Sequence, residues 1–296
     1  MISAMNVGRF LSDTARLYPD RIGLIHGEDA WTWAELDANA NAFRAALQDM
    51  GVKAGDRVMV QSRNNRAMFE SLWGIFKAGC IWVPSNFLQT PPEIAYVAQN
   101  CGASAFLFEV VFADHATAAK AASGDLEHLI AIGGDVEGAA NYDDVIAAHE
   151  GAERIDAQVE YEDPCWLFYT SGTTGFPKGA LYSNDHYLTG IMRWGWEFGI
   201  TADQVMLVPG PLFHLSYAGL SMAALCIGAR IRIMREFRAD LALSELSRHC
   251  THAFLVPSMT TMVEEEWRRQ GQPPIDALRL MISSGAPGPL SMTRTA

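Results

Sequence analysis

Apolar and polar positions along this chain switch between a helical period and a strand period, and punctuating residues mark the switches. Thr32-Trp33-Ala34-Glu35 reads as a capping box, in which a hydroxyl and a carboxylate each satisfy an orphan amide at a helix start. Leu36, Ala40, Phe43 and Leu47 follow at helical spacing, and Gly51 suits the stop. Ala54-Gly55-Asp56 is a turn, and residues 57–61 read as a strand. A second helix runs from about Asn65, with Met68, Leu72 and Ile75 on one face and Gly79 near its end. Residues 81–83 form the next short strand. Thr90-Pro91-Pro92-Glu93 opens a third helix, with another capping box and a proline at its first position. Residues 104–109 and 128–132 read as further strands. Strands alternating with helices predict a largely parallel sheet in an α/β fold.

Residues 133–161 are polar, acidic and glycine-containing, with room for one short helix at 142–149. This stretch predicts a boundary between two packed α/β subdomains, 1–160 and 161–296. Beyond it, Cys165-Trp166-Leu167-Phe168-Tyr169 is a buried strand feeding a glycine-rich loop, and 179–182 is the returning strand. A helix follows from about Asp185, capped by Ser183 or Asn184. Residues 205–208 and 278–282 read as strands and 216–227 as a helix. Trp194 and Trp196 read as core.

Composition narrows the function classes. The chain has 296 residues, room for about two subdomains. No apolar run approaches the roughly 18 residues of a membrane span, and no basic segment followed by an apolar run opens the chain, which predicts a cytoplasmic protein. Cys80, Cys101, Cys165, Cys226 and Cys250 are widely spaced, as reduced thiols would be. A net charge of −12 argues against nucleic acid as a partner. An anionic nucleotide must then be held locally, by backbone amides and a few cations. The lysines are Lys53, Lys77, Lys120 and Lys178. The first three read as solvated, while Lys178 falls in the glycine-rich loop. The oligomeric state is left open.

That loop, Tyr169-Thr170-Ser171-Gly172-Thr173-Thr174-Gly175-Phe176-Pro177-Lys178-Gly179, carries the most chemical information. Gly172, Gly175 and Gly179 let the backbone close around a ligand. The hydroxyls of Thr170, Ser171, Thr173 and Thr174 can donate to anionic oxygens, and consecutive free amides make an anion-binding concavity. Lys178 adds a point charge. Together they suit a triphosphate or pyrophosphate. A Walker loop would need Gly-Lys followed by Ser or Thr, whereas Pro177 precedes Lys178 and Gly179 follows it.

The loop resembles the phosphate loop of the acyl-adenylate-forming superfamily, of the acyl-CoA synthetase type. Trp31 to Leu36, Gly51 to Val58, Lys77 to Pro84, Pro211-Leu212-Phe213-His214, Val256-Pro257-Ser258 and Ser284-Gly285-Ala286-Pro287 resemble further family segments, in the family's order. The resemblance implies the N-terminal domain of an adenylate-forming enzyme without its C-terminal domain. It implies ATP, Mg2+ and coenzyme A as participants and a small carboxylic acid, a fatty acid first, as substrate. It places Thr170 to Gly175, Lys178 and Ser284 to Pro287 on the nucleotide. It sets Phe213 and His214 at the carboxylate end of the acyl pocket, with His214 as the candidate catalytic group. Tyr217 and Ser221, on one face of the following helix, are candidate pocket residues. No metal ligand is assigned.

Two departures stand out. Family members often carry histidine where this chain has Asn184, which reads as a helix-cap variation. The family's Tyr-Gly-x-Thr-Glu segment, ribose aspartate and C-terminal lysine domain are not in this sequence, so the chain is expected to be a truncated form, inactive alone. Two rival readings are a peptide-synthetase-type adenylation domain, which usually carries Phe-Asp at the Phe213-His214 position, and a non-catalytic nucleotide-binding or scaffold module.

Overall fold

Both capping boxes form. Glu35 N–H donates to Thr32 Oγ1 at 3.2 Å while Thr32 N–H donates to Glu35 Oε2 at 2.7 Å. At the second box Thr90 N–H donates to Glu93 Oε2 at 2.7 Å. The computed structural model describes residues 6–170 and 177–285. Along the chain it contains α1 (Arg9–Leu17), β1 (Ile22–His26), β2 (Asp29–Thr32), α2 (Trp33–Asp49), β3 (Arg57–Gln61), α3 (Arg66–Lys77) and β4 (Ile81–Pro84). There follow α4 (Pro91–Cys101), β5 (Ala103–Glu109), α5 (Ala113–Ala122), β6 (His128–Ile132), β7 (Ala140–Asn141), α6 (Tyr142–Ala148), β8 (Pro164–Thr170) and β9 (Lys178–Ser183). The described chain continues with α7 (Asn184–Glu197), β10 (Val205–Val208), α8 (Leu215–Ile227), β11 (Arg230–Ile233), α9 (Ala239–Arg248), β12 (His252–Leu255), α10 (Pro257–Arg269) and β13 (Leu280–Ser283). No helix among the described residues is long and apolar enough to cross a membrane.

The elements sort into two units. The first comprises residues 1–21 and 32–192. Its sheet runs β7-β6-β5-β3-β4-β8-β9, and neighbouring strands are parallel except β8 with β9. One face is sealed by Met59, Val83, Phe106 and Phe108 against Ile94, Val97 and Ala98 of α4 and Ala116 and Ala119 of α5. Elsewhere in this unit Trp82 packs at a tilt on Trp166 with ring centroids 4.8 Å apart. The second unit comprises residues 22–31 and 193–296. Its sheet runs β13-β12-β10-β11-β1-β2, with β13, β12, β10, β11 and β1 parallel. Val205, Leu207, Ala253 and Leu255 pack there against Leu243 and Leu246 of α9 and Val263 of α10.

The expected boundary at 160/161 is therefore displaced. β8 joins the first sheet beside β4, with Trp82 opposite Trp166, and β9 follows it. Residues 22–31 are drawn the other way, because β1 pairs with β11. Both pairings join strands far apart in the sequence, which local patterning does not encode.

Three further expectations are corrected. Lys77 is not solvated: it is wholly buried, and its ammonium donates to Asp37 Oδ1 at 2.5 Å, Asn41 Oδ1 at 2.6 Å and Ser12 Oγ at 2.7 Å. Trp196 is not core. It is 88% exposed, on the side of α7 away from Tyr187, Leu188 and Ile191, while Trp194 lies against Gly219 of α8. Asn184 does not cap α7; Ser183 Oγ accepts from His186 N–H at 3.4 Å. The Asn184 side chain instead accepts from Val7 N–H at 3.3 Å and donates to Asp163 O at 3.0 Å, tying the N-terminal segment to the strand entry.

Candidate functional site

The glycine-rich loop connects two antiparallel strands, as its sequence predicts. In β8 and β9, Tyr169 lies opposite Gly179 and Thr170 opposite Lys178. No helix begins at Lys178, which is the first residue of β9. Thr170 and Lys178 are both exposed at the mouth of this hairpin, where Thr170 Oγ1 donates to Lys178 O at 3.4 Å. The pairing sets a threonine and a lysine at one register position, a suitable beginning for an anion site. Ser171, Gly172, Thr173, Thr174 and Gly175 lie outside the described residues.

The base of the hairpin is firm. Trp166 is fully buried, and its ring contacts Tyr187 at 5.1 Å as well as Trp82. A side chain at Gly179 would displace the end of Leu167. A Cβ there would stand 2.8 Å from Leu167 Cδ1 and 3.5 Å from the Tyr169 ring. The Tyr169 hydroxyl donates to Asn100 Oδ1 at 2.6 Å, and burial pushes its pKa up, so it stays a neutral donor. Tyr96 Oη donates to Pro177 O at 3.5 Å. Neither Tyr96 nor Asn100 stood out in the sequence. Their only signal is a four-residue spacing on a helix.

In the second unit the candidate residues gather at the carboxyl ends of parallel strands, where open α/β sheets bind ligands. β10 ends at Val208, and Pro209-Gly210-Pro211 turns the chain toward α8. His214 stands at the cap position of that helix: its N–H donates to Pro211 O at 3.0 Å and its carbonyl accepts from Ala218 N–H at 3.0 Å. The rings of Phe213 and His214 lie 5.7 Å apart. The His214 imidazole is exposed, yet the surrounding protein mass still desolvates it enough to lower its pKa, which favours the neutral form.

Gly210 is the tightest point of this corner. A Cβ there would stand 2.1 Å from the Tyr217 ring. Tyr217 is buried, packs edge-on to Phe254 at 5.0 Å and donates to Met259 Sδ at 3.3 Å. Burial pushes its pKa up to about 12. Ser221 has no exposed surface, and its hydroxyl donates to Ala218 O at 2.7 Å within α8. Ser284 and Gly285 follow β13, exposed, with Gly285 at φ 99° and about 3.5 Å from Val256 Cγ1 for a Cβ placed there. Ala286 and Pro287 lie outside the described residues.

Comparison with known proteins shows what the chain is similar to. The family model of the AMP-binding enzymes matches residues 11–296. A feruloyl-CoA synthase from Amycolatopsis sp is 30% identical over 282 residues, covering 94% of this chain and 54% of that protein. A 4-coumarate–CoA ligase from Oryza sativa subsp. japonica is 28% identical, covering 89% of this chain and 48% of the relative. A medium/long-chain-fatty-acid–CoA/3-oxocholest-4-en-26-oate–CoA ligase from Mycolicibacterium smegmatis is 26% identical, covering 83% and 48%. Among solved structures, the anthranilate CoA ligase AuaEII in complex with anthranoyl-AMP superposes with a TM-score of 0.90 at 25% identity, over 97% of this chain and 56% of that one. The N-terminal domain of FACL13 from Mycobacterium tuberculosis shares the fold, with a TM-score of 0.90 at 21% identity over 98% and 72%. The chain spans about half the length of the curated relatives it matches. It belongs to the AMP-binding enzyme family.

Proposed function

We propose that this chain is the nucleotide-binding part of an enzyme that activates a carboxylic acid with ATP and passes the acyl group to coenzyme A. The observation that carries the reading is the antiparallel hairpin with Thr170 and Lys178 exposed at its mouth. In the first step a carboxylate oxygen attacks the α-phosphorus of ATP, an acyl–O–P bond forms, and pyrophosphate leaves with the electron pair. In the second step the thiolate of coenzyme A attacks the acyl carbonyl and AMP departs. A carboxylate needs no general base, so the protein's work is positioning and charge stabilisation.

In this reading the loop amides, the hydroxyls of Thr170, Ser171, Thr173 and Thr174, and Lys178 hold the β- and γ-phosphates. Ser284 to Pro287 line the adenine. Neutral His214 donates a hydrogen bond to the substrate carboxylate, with Phe213 beside it. Tyr217 shapes the pocket wall from beneath, and Ser221, its hydroxyl already engaged, contributes as a small packing residue. The described residues hold no group of three His, Cys, Asp or Glu side chains that could bind a cation, and in this reading Mg2+ arrives with the nucleotide. The acid is a fatty acid or an aromatic one; relatives of both kinds are similar to this chain.

The 296-residue chain alone is expected to turn over negligibly. Each positioned electrostatic group missing from a site costs about a hundredfold to a thousandfold in rate. The test is pyrophosphate release with ATP, Mg2+, coenzyme A and a panel of fatty and aromatic acids. Background-level release is expected from this chain and acid-dependent release from a longer form, where His214→Ala raises KM for the acid more than for ATP. Acid-independent nucleotide binding with no release in any form would favour the scaffold reading instead.

A further inference from the structure

We infer that α4 anchors the phosphate-loop hairpin at both ends, with Tyr96 and Asn100 as positioning residues for the nucleotide. This rests on the reading of the hairpin as the phosphate site.

The geometry is specific. Asn100 accepts the hydroxyl of Tyr169, one residue before Thr170 on the outgoing strand. Tyr96 donates to the carbonyl of Pro177, one residue before Lys178 on the returning strand. Tyr96 and Asn100 are four apart on α4 and so share a face. One helix therefore grips the chain immediately before each of the two exposed groups at the hairpin mouth.

The hairpin needs such a grip. β9 is the last strand of its sheet and has one neighbour, β8. Edge hairpins open locally at a fraction of the global unfolding free energy. α4, by contrast, is a fixed platform: Thr90 and Glu93 cap it, Gly102 closes it in the left-handed conformation, and Ile94, Val97 and Ala98 bury its inner face. Tyr96 and Tyr169 both pack at the border of that same core. The Tyr169 ring covers Gly179, so the bond to Asn100 restrains both strands at once. A mouth held at fixed width is preorganised for a ligand.

The test is amide hydrogen exchange of residues 168–170 and 178–180 in the ligand-free chain, with ATP affinity and thermal unfolding measured in parallel. Tyr169→Phe and Asn100→Leu each remove one hydrogen bond at an exposed helix end. Exchange at the mouth should rise roughly threefold to tenfold in either variant. The double variant should add little to a single one, and Asn100→Asp, which keeps an acceptor oxygen, should restore protection. Tyr96→Phe should loosen 178–180 more than 168–170. The melting temperature should move by no more than about 2 °C, and ATP affinity should fall about threefold to tenfold. Mouth exchange unchanged in all variants overturns the inference, whether or not ATP binds. Mouth exchange that responds in a chain with no affinity for ATP keeps the anchor and overturns the phosphate reading instead.

Discussion

At Lys77 a cation has been taken out of water. Burial lowers its pKa, and Asp37 opposes the shift by holding the ammonium charged. Ser12 and Asn41 complete its three donations, so the charge is paired and fully hydrogen-bonded, which is the condition for tolerating it inside a protein. Lys77→Met would leave the Asp37 carboxylate without its partner. It should cost about 3 kcal/mol in urea unfolding. Glu70 is another fully buried ionisable residue of the first unit. It accepts from Tyr142 Oη at 3.0 Å and Asn39 Nδ2 at 3.0 Å, with Arg66 Nε at 3.6 Å. Desolvation nonetheless raises its pKa from 4.5 to about 7, with Asp143 adding to the rise and Arg66 opposing it. The folded chain therefore holds a proton that the unfolded chain releases. The stability this contributes is full below pH 4.5 and is lost as pH rises through about 7. Glu70→Gln cannot lose it. Between pH 5 and pH 8 the wild type should lose on the order of 3 kcal/mol relative to the variant. A difference between the two proteins that stays constant with pH would contradict the assignment.

At the scale of elements, helix starts and the loop hairpin were legible because their signals are local. Thr32, Asn65 and Thr90 each stand where a cap has to stand, and Pro177 before Lys178 excludes a helix at the loop's far end. Asn184 and Trp196 misled for a related reason. Both sit on a helix whose register is visible, but what the helix packs against is not. The sequence likewise hid β1 and β2, which form part of a sheet completed some two hundred residues later. The candidate residues around His214 depend on a corner that is equally non-local: Gly210 is required because Tyr217, one turn into α8, fills the space above it. Gly210→Ala should force that ring aside and cost about 1–3 kcal/mol by overpacking. Thermal unfolding would register it. An unchanged melting temperature would mean that the corner has slack the structure does not show.

On the scale of the whole molecule, each of the two units presents candidate groups at one place. The first offers a hairpin mouth with a hydroxyl and an ammonium, and the second offers strand ends with His214, Ser284 and Gly285. Lys178 offers the most direct trial of the phosphate site, because it is exposed and its truncation is expected to leave the fold intact. The measurement is calorimetric titration of this chain with ATP in the presence of Mg2+, wild type against Lys178→Ala, with matched melting temperatures as the control. Weak saturable binding is expected, dropping about tenfold or more in the variant with the loss of one charge-assisted contact to phosphate. Binding of equal strength in the two proteins, or none in the wild type, would contradict it.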